Sequence, residues 1–130
     1  MGAQLGFIGM AVEDMGRSLA FYRRLGLDIP AEADREPHVD VTLPGGLLLV
    51  WDTWAEIRRF DPERQPPGGG SRMSLAFRCD TPEQVDAVHA ELVAAGYRSR
   101  LEPWDAFWGQ RYAVVYDPDG NTADLFCPKG

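Results

Sequence analysis

The residues best suited to bind a small molecule are aromatic and lie in the second half of the chain. Trp108 is followed by a glycine and two hydrogen-bonding side chains, Gln110 and Arg111, just before an apolar run that begins at Tyr112. A hairpin has no structural need for an exposed tryptophan beside a glycine, so this spacing indicates a binding site. Flat rings bind planar quinones or heteroaromatics by stacking, which contributes on the order of 1 kcal/mol beyond burial.

Four tryptophans are present, enough to build such a cleft. Trp108 is expected to contact the ligand. Trp51 lies in an apolar segment, where it either fills the core or contacts the ligand. Trp104 lies in a predicted loop after Pro103, and the same two alternatives stay open for it. Trp54 begins a predicted helix and is expected to pack against the core.

The polar side chains near these rings carry no recognisable catalytic motif. Arg111 is expected either to bind a ligand carbonyl or to form a structural ion pair with Asp105 or Glu102. Asp117 and Asp119 are explained by turn geometry and do not indicate acid–base catalysis. The sequence has no nucleophile elbow, no phosphate-binding loop and no zinc-ligand spacing, so none of those reaction classes is predicted.

Composition limits the partners. The chain has 130 residues, of which 45% are apolar and 25% charged, as in ordinary soluble globular domains. Its 13 basic and 20 acidic residues give a net charge of −7, which argues against nucleic acid as a partner. No apolar run approaches the roughly 18 residues of a membrane span, and no secretion signal is evident. We therefore expect a cytoplasmic protein whose cysteines, Cys79 and Cys127, are free and buried.

The apolar pattern predicts one order of elements twice, at a spacing of about 65 residues. In the first half we predict strands over residues 5–12, 27–33, 38–43 and 46–51, a helix over 15–25 and a short helix over 53–60. In the second half we predict strands over residues 73–79, 97–101, 112–116 and 122–126, a helix over 82–95 and a loop over 102–110. Asp14 and Thr81 are predicted to cap the two longer helices, and His89 is expected on the surface of the second.

These predictions define an α+β fold. It consists of two βαβββ modules, each with a curved mixed sheet, at about residues 4–60 and 71–128. Residues 61–70 (DPERQPPGGG) are predicted to be a linker, because prolines stiffen it and glycines loosen it. The whole chain, residues 1–130, is interpreted as a single domain.

The doubled pattern resembles the vicinal oxygen chelate superfamily, which includes glyoxalase I, extradiol dioxygenases and bleomycin-resistance proteins. The residues that carry the resemblance are VEDMGRSLAFY at 12–22, LAFR at 75–78 and DPDGN at 117–121. The resemblance implies metal ligands in the first and last strand of each module. The matching positions here are Phe7, Ser74, Leu49 or Val50, and Asp124. Because only Asp124 is a good ligand for a divalent ion, we predict no metal and no other cofactor.

Within the superfamily, the chain is similar to mitomycin-binding resistance proteins. That similarity depends on DIPAEAD at 28–34, Pro37-His38, Trp51-Asp52-Thr53 and WDAFWGQRY at 104–112. It implies a homodimer, domain-swapped, in which His38 and Trp108 hold a planar drug in a cleft at the dimer interface. Asp124 is expected either to be a relic of a metal-ligand position or to contact a ligand amine. The predicted ligand-binding set is His38, Trp108, Trp51, Trp104, Arg111, Tyr112 and Asp124.

The function predicted from these residues is sequestration of a planar aromatic antibiotic, such as a mitomycin-like quinone, without chemical change. Resistance would follow because bound drug is withheld from its target. Two enzymatic alternatives stay open: a metal-dependent enzyme of the superfamily, and a metal-free isomerase or cyclase that uses His38 or Asp124 as a base.

Overall fold

The computed structural model describes residues 4–63, 65–66 and 73–129. The chain divides into two compact units, residues 1–67 and 68–130, called unit 1 and unit 2 below. Each contains a mixed sheet with at least one helix, so the predicted α+β class is confirmed. Parts of the predicted linker lie outside the described residues. Among the described helices, none is long and apolar enough to cross a bilayer.

Unit 1 is a three-stranded sheet in the order β1-β3-β2. Its elements are β1 (Phe7–Val12), α1 (Met15–Arg24), a 3-10 helix (Ala31–Arg35), β2 (His38–Thr42), β3 (Leu48–Thr53) and α2 (Trp54–Phe60). As predicted, Asp14 caps α1, because its Oδ1 accepts from the backbone N–H of Arg17 at 2.9 Å. β1 runs parallel to β3, and β2 is antiparallel to β3.

The predicted strand over residues 27–33 is wrong. Residues 27–30 adopt no regular structure, and the 3-10 helix follows them. The cause is the guanidinium of Arg23, which donates to the carbonyl oxygens of Ile29 at 2.8 Å and Pro30 at 2.7 Å and to Asp34 Oδ1 at 2.9 Å. These bonds fold the segment back towards α1 and use backbone acceptors that a strand would offer to its neighbour.

Unit 2 is a four-stranded sheet in the order β4-β7-β6-β5. Its elements are β4 (Ser74–Arg78), α3 (Pro82–Ala94), β5 (Ser99–Ala106), β6 (Gln110–Tyr116) and β7 (Thr122–Pro128). Thr81 caps α3 as predicted, since its hydroxyl accepts from the backbone N–H of Gln84 at 3.1 Å. The turn between β6 and β7 is held by Asp117, whose Oδ1 accepts from the backbone N–H groups of Asp119 and Asn121, both at 2.8 Å.

Two further expectations about unit 2 are wrong. Residues 102–110 are not a loop, because β5 continues through Ala106 with interruptions in register. A tight turn then closes where the N–H of Gly109 donates to the carbonyl of Ala106 at 3.0 Å, with φ of +92° at the glycine. His89 is buried rather than on the surface, and its Nε2 lies 2.7 Å from Ser99 Oγ.

Cys79 and Cys127 are free and buried, as expected.

Candidate functional site

The sheet of unit 2 has one face against α3 and an opposite face, called the outer face below. Side chains alternate between the two faces along each strand. Ala113 and Val115 are fully buried on the α3 side of β6. Tyr112 therefore lies on the outer face, as does Asp124 on β7, because Asp124 pairs in register with Val114.

Four aromatic side chains, Trp104, Phe107, Trp108 and Tyr112, form one cluster at the β5–β6 end of this face. The ring centroid of Trp108 lies 5.6 Å from that of Trp104, 5.0 Å from Phe107 and 5.2 Å from Tyr112, each edge to face. The indole N–H of Trp108 donates to Gln110 Oε1 at 2.8 Å, which fixes the ring. Trp104 is 38% exposed, Trp108 48% and Phe107 90%. The aromatic cluster thus presents ring surface that is not used by the core.

Asp124 lies beside the aromatic cluster as a hydrogen-bonded carboxylate. Its Oδ1 accepts from the hydroxyl of Ser74 at 2.6 Å, and its Oδ2 accepts from the hydroxyl of Tyr112. Burial, and then the bond to Asp124, raise the pKa of Tyr112 to about 12, so this phenol stays protonated at neutral pH. Sequence reasoning considered Ser74 only as a metal-ligand position and missed its bond to Asp124.

His38 lies in unit 1, on the face of that sheet opposite α1, between two carboxylates. Its Nδ1 is 2.6 Å from Asp52 Oδ1, and its Nε2 is 3.5 Å from Asp40 Oδ2. The hydrogen bond to Asp52 is the main cause of a raised pKa at His38. Both carboxylates were missed as partners. A hairpin centred on Gly45 pairs residue 38 with residue 52, so the register of the turn was a usable signal.

Trp51 is not part of an open site. It is fully buried on the α1 side of the unit 1 sheet, and its ring centroid lies 5.6 Å from that of Tyr22, edge to face. The reason is parity: Trp51 alternates with Val50 and Asp52, which lie on the opposite face. Of the two alternatives for Trp51, core packing is therefore confirmed, and its contact with a ligand stays an untested prediction.

Arg111 lies on the α3 side of β6, away from the aromatic cluster. Its guanidinium makes two bonds to Asp86 of α3, at 2.8 and 3.0 Å, and one to Asp105 at 3.1 Å. These carboxylates, Asp86 foremost, raise its pKa. The structural alternative of a pair with Asp105 is thus found and the partner Asp86 was missed, while the contact of Arg111 with a ligand carbonyl stays a prediction.

The structure therefore brings together Trp104, Trp108, Tyr112 and Asp124 of the predicted set, all within unit 2. It adds Phe107, which sequence reasoning did not single out, although a phenylalanine beside Trp108 in a tight turn is itself a signal of exposure.

The side chains at the superfamily's metal positions do not fit a divalent cation. Phe7 pairs with Leu48 at the start of the β1–β3 ladder, and Ser74 pairs with Thr122 at the start of the β4–β7 ladder. Val50 and Asp124 follow two residues later on the last strands, so the positions correspond. Of the four, only Asp124 is a carboxylate. Among the described residues, no group of three or more His, Cys, Asp or Glu side chains is placed to hold a metal ion.

Comparisons with known proteins agree with this fold. The model of the glyoxalase/bleomycin resistance protein/dioxygenase superfamily matches residues 4–125. A glyoxalase/bleomycin resistance protein/dioxygenase family enzyme from Burkholderia phytofirmans PsJN is 23% identical, with a TM-score of 0.76 over 95% of this chain and 98% of its own. A protein of unknown function from Agrobacterium tumefaciens C58 is 26% identical, with a TM-score of 0.70 over 97% and 94%.

A more distant likeness is to the oxidase ChaP-H2, at 21% identity and a TM-score of 0.60 over 100% of this chain and 98% of its own. A comparison with curated proteins found no match. At these identities the solved structures establish the fold and leave the chemistry to the residues of this chain.

Proposed function

This chain belongs to the glyoxalase/bleomycin resistance protein/dioxygenase superfamily, and we propose that it binds a planar aromatic small molecule and sequesters it without chemical change. The ligand class we favour is a mitomycin-like quinone or a related heteroaromatic antibiotic. Binding of such a drug confers resistance by mass action, because the bound fraction does not reach its target. Association of two chains into a domain-swapped homodimer is part of this proposal.

The observation that carries the proposal is the partial exposure of the aromatic cluster on the outer face of unit 2. A planar ligand that stacks on Trp108 or Trp104 gains on the order of 1 kcal/mol per ring contact beyond burial. Burial itself contributes roughly 25 cal/mol for each Å² of apolar surface removed from water. The bond from Trp108 to Gln110 lowers the entropic cost of ordering the ring, because the side chain is already held in one position.

The polar groups beside the cluster support binding rather than turnover. Asp124 already accepts two hydrogen bonds, from Ser74 and Tyr112, which hold its side chain in place beside the aromatic cluster. Tyr112 donates to Asp124 and stays protonated, so its phenol does not act as a base at neutral pH. Asp124 retains acceptor capacity for a ligand N–H group, since an ionised carboxylate has about four lone-pair sites.

The test is isothermal titration calorimetry of the chain with mitomycin C under non-reducing conditions. We expect binding by the wild type and at least a tenfold loss for Trp108→Ala, about 1.4 kcal/mol. Trp54→Ala is the matched control, because Trp54 lies on α2 in unit 1, beside Arg58, and its loss should leave the affinity unchanged. Equal affinities for all three proteins, or no binding by the wild type to mitomycin C or to a panel of quinones and quinolines, would refute the proposal.

A second candidate is a metal-free isomerase or cyclase, favoured by the contact between His38 and Asp52. A carboxylate 2.6 Å from Nδ1 orients the imidazole and stabilises its cation, as in general acid–base catalysis. The same titration samples distinguish the two functions. Mass spectrometry of the recovered ligand should show it unaltered if the chain only sequesters it, and converted if His38 acts as a base.

A further inference from the structure

β2 is an edge strand of unit 1 with free backbone groups along its outer side. In the antiparallel pairing with β3, the N–H of Thr53 donates to the carbonyl of Pro37 at 3.0 Å, and that of Leu43 to the carbonyl of Leu47 at 2.8 Å. Because alternate residues of a strand bond to opposite neighbours, residues 37, 39, 41 and 43 face β3. The N–H and C=O groups of His38, Asp40 and Thr42 therefore face outward. Because β2 is the last strand in the order β1-β3-β2, no neighbouring strand of the described residues pairs with these groups.

The segment that would pair with this edge is held away from it. In unit 2 the corresponding edge, that of β6, is covered by the fourth strand, β5. In unit 1 the residues after α1 are bound by Arg23 through Ile29, Pro30 and Asp34 instead. The described residues of unit 1 thus form no fourth strand, because these hydrogen bonds hold the segment, and the position beside β2 is open.

A cavity of about 450 Å³ lies where that strand would run. Residues 26–30 form one side, and residues 39–44, which include most of β2, form the other. Val41 offers partly exposed apolar surface on the α1 side of the sheet, where its neighbour Val39 is buried, whereas Asp40 points to the opposite face. The charged side chains that line the cavity, Asp28 and Asp40, are both acidic.

We propose that this groove binds an extended, basic peptide segment of another protein, which adds a fourth strand to the sheet of unit 1. Main-chain bonds to His38, Asp40 and Thr42 supply affinity, and alternate side chains supply specificity. An apolar side chain of the peptide lies beside Val41. Lysine or arginine side chains lie beside Asp40 and Asp28. A second copy of this chain is disfavoured as the occupant, since it carries a net charge of −7 and its own β2 places an aspartate at the centre of the strand.

The test is fluorescence anisotropy of the full chain with a labelled peptide of sequence Val-Lys-Val-Lys-Val. We expect this peptide to bind and Val-Glu-Val-Glu-Val to bind at least tenfold more weakly. Asp40→Lys should weaken the basic peptide at least tenfold. Glu63→Lys is the matched control. Glu63 is exposed and outside the groove, and this variant has the same net charge as Asp40→Lys. The basic peptide should bind Glu63→Lys as tightly as it binds the wild type.

A second variant tests the backbone component separately. Thr42→Pro removes an outward N–H while leaving the bonds to β3 intact, and proline is tolerated on a strand edge. Circular dichroism should show a folded protein whose peptide affinity has dropped at least fivefold. Equal binding of the acidic and basic peptides, or an unchanged affinity in both variants, would overturn the proposal. So would analytical ultracentrifugation that shows a wild-type dimer converted to a monomer by Thr42→Pro, because the edge would then be filled by a second copy.

Discussion

The two units of this chain share one arrangement of strands and helix but differ in the side chains that they expose. Each has a parallel pair of strands, β1–β3 or β4–β7, with an antiparallel strand beside it and a capped helix that follows its first strand. Unit 2 has an additional long strand, β5, and carries the aromatic cluster on its outer face. Unit 1 lacks the added strand and turns its large aromatic, Trp51, into the core. The framework is thus kept in both units, while the residues after the helix and the face taken by one tryptophan decide which side chains each unit exposes.

The largest expected effect is the difference in stability loss between substitutions of Trp51 and Trp108. Trp51→Ala removes a fully buried side chain and leaves a cavity, so the free energy of unfolding should fall by about 3–5 kcal/mol. Trp108→Ala removes a half-exposed ring, and its unfolding free energy should fall by less than about 1 kcal/mol. Urea denaturation followed by circular dichroism measures both. Comparable losses in the two variants would mean that the indole at 108 is a core residue and that the contrast fails.

The next prediction concerns Arg23, whose hydrogen bonds hold the segment after α1 away from the edge of β2. Arg23→Ala breaks three hydrogen bonds from a partly buried guanidinium, which should lower the free energy of unfolding by about 1–2 kcal/mol after allowance for solvent screening. Amide hydrogen exchange should also accelerate at Ala33 and Glu36, whose N–H groups bond within the 3-10 helix.

Arg59→Ala is the control for Arg23→Ala. Arg59 pairs with Glu56 at 2.8 Å on the surface of α2, and its side chain is 76% exposed. Such a pair contributes at most about 0.5 kcal/mol. If the two variants lose equal stability, or if exchange in the 3-10 helix is unchanged in Arg23→Ala, the guanidinium does not hold the segment and another cause must be found for the missing strand.

Local signals predicted most of the elements. Asp14 and Thr81 mark the starts of α1 and α3 because their caps involve residues only three positions away. Glycine at positions 26 and 96 marks the ends, where φ is positive, at +102° and +99°. The turn at Asp117 is equally local. In each case the hydrogen bonds that define the helix end or turn join residues close in sequence, so the residue types alone predict it.

The failures share a different physical origin. Residues 27–33 alternate like a strand, and nothing local reveals that Arg23 binds their carbonyls. The run Leu48-Leu49-Val50-Trp51 is apolar throughout, so it has no period-two signal to show which face Trp51 takes. Arg111 was ambiguous because its partner Asp86 lies on another element, α3, as Arg23 lies on a different element from the carbonyls that it binds. Sequence reasoning found four of the clustered site residues through their types and could not separate them from the residues on the opposite face.

The two histidines give the smallest effect and the most direct comparison of the units, because their pKa values shift in opposite directions. Burial lowers the pKa of His89 in unit 2 below 6.5, whereas the bond to Asp52 raises that of His38 in unit 1. As pH falls through 6.5, the unfolded state protonates at position 89 before the folded state does, so His89 destabilises the protein in acid. His38 has the reverse sign: its contribution is fully present below pH 6.5 and is lost as pH rises through its folded pKa.

Thermal unfolding of the wild type, His89→Gln and His38→Gln at pH 5, 6.5 and 8 separates these terms. His89→Gln should gain stability relative to the wild type as pH falls from 8 to 5, and His38→Gln should lose it. The effect at His38 should be small, since its side chain is nearly half exposed. A constant offset from either variant at all three pH values would show that the corresponding histidine does not change its proton affinity on folding. If the stabilities of the two variants changed with pH in the same direction relative to the wild type, the opposite pKa shifts of His89 and His38 would be refuted.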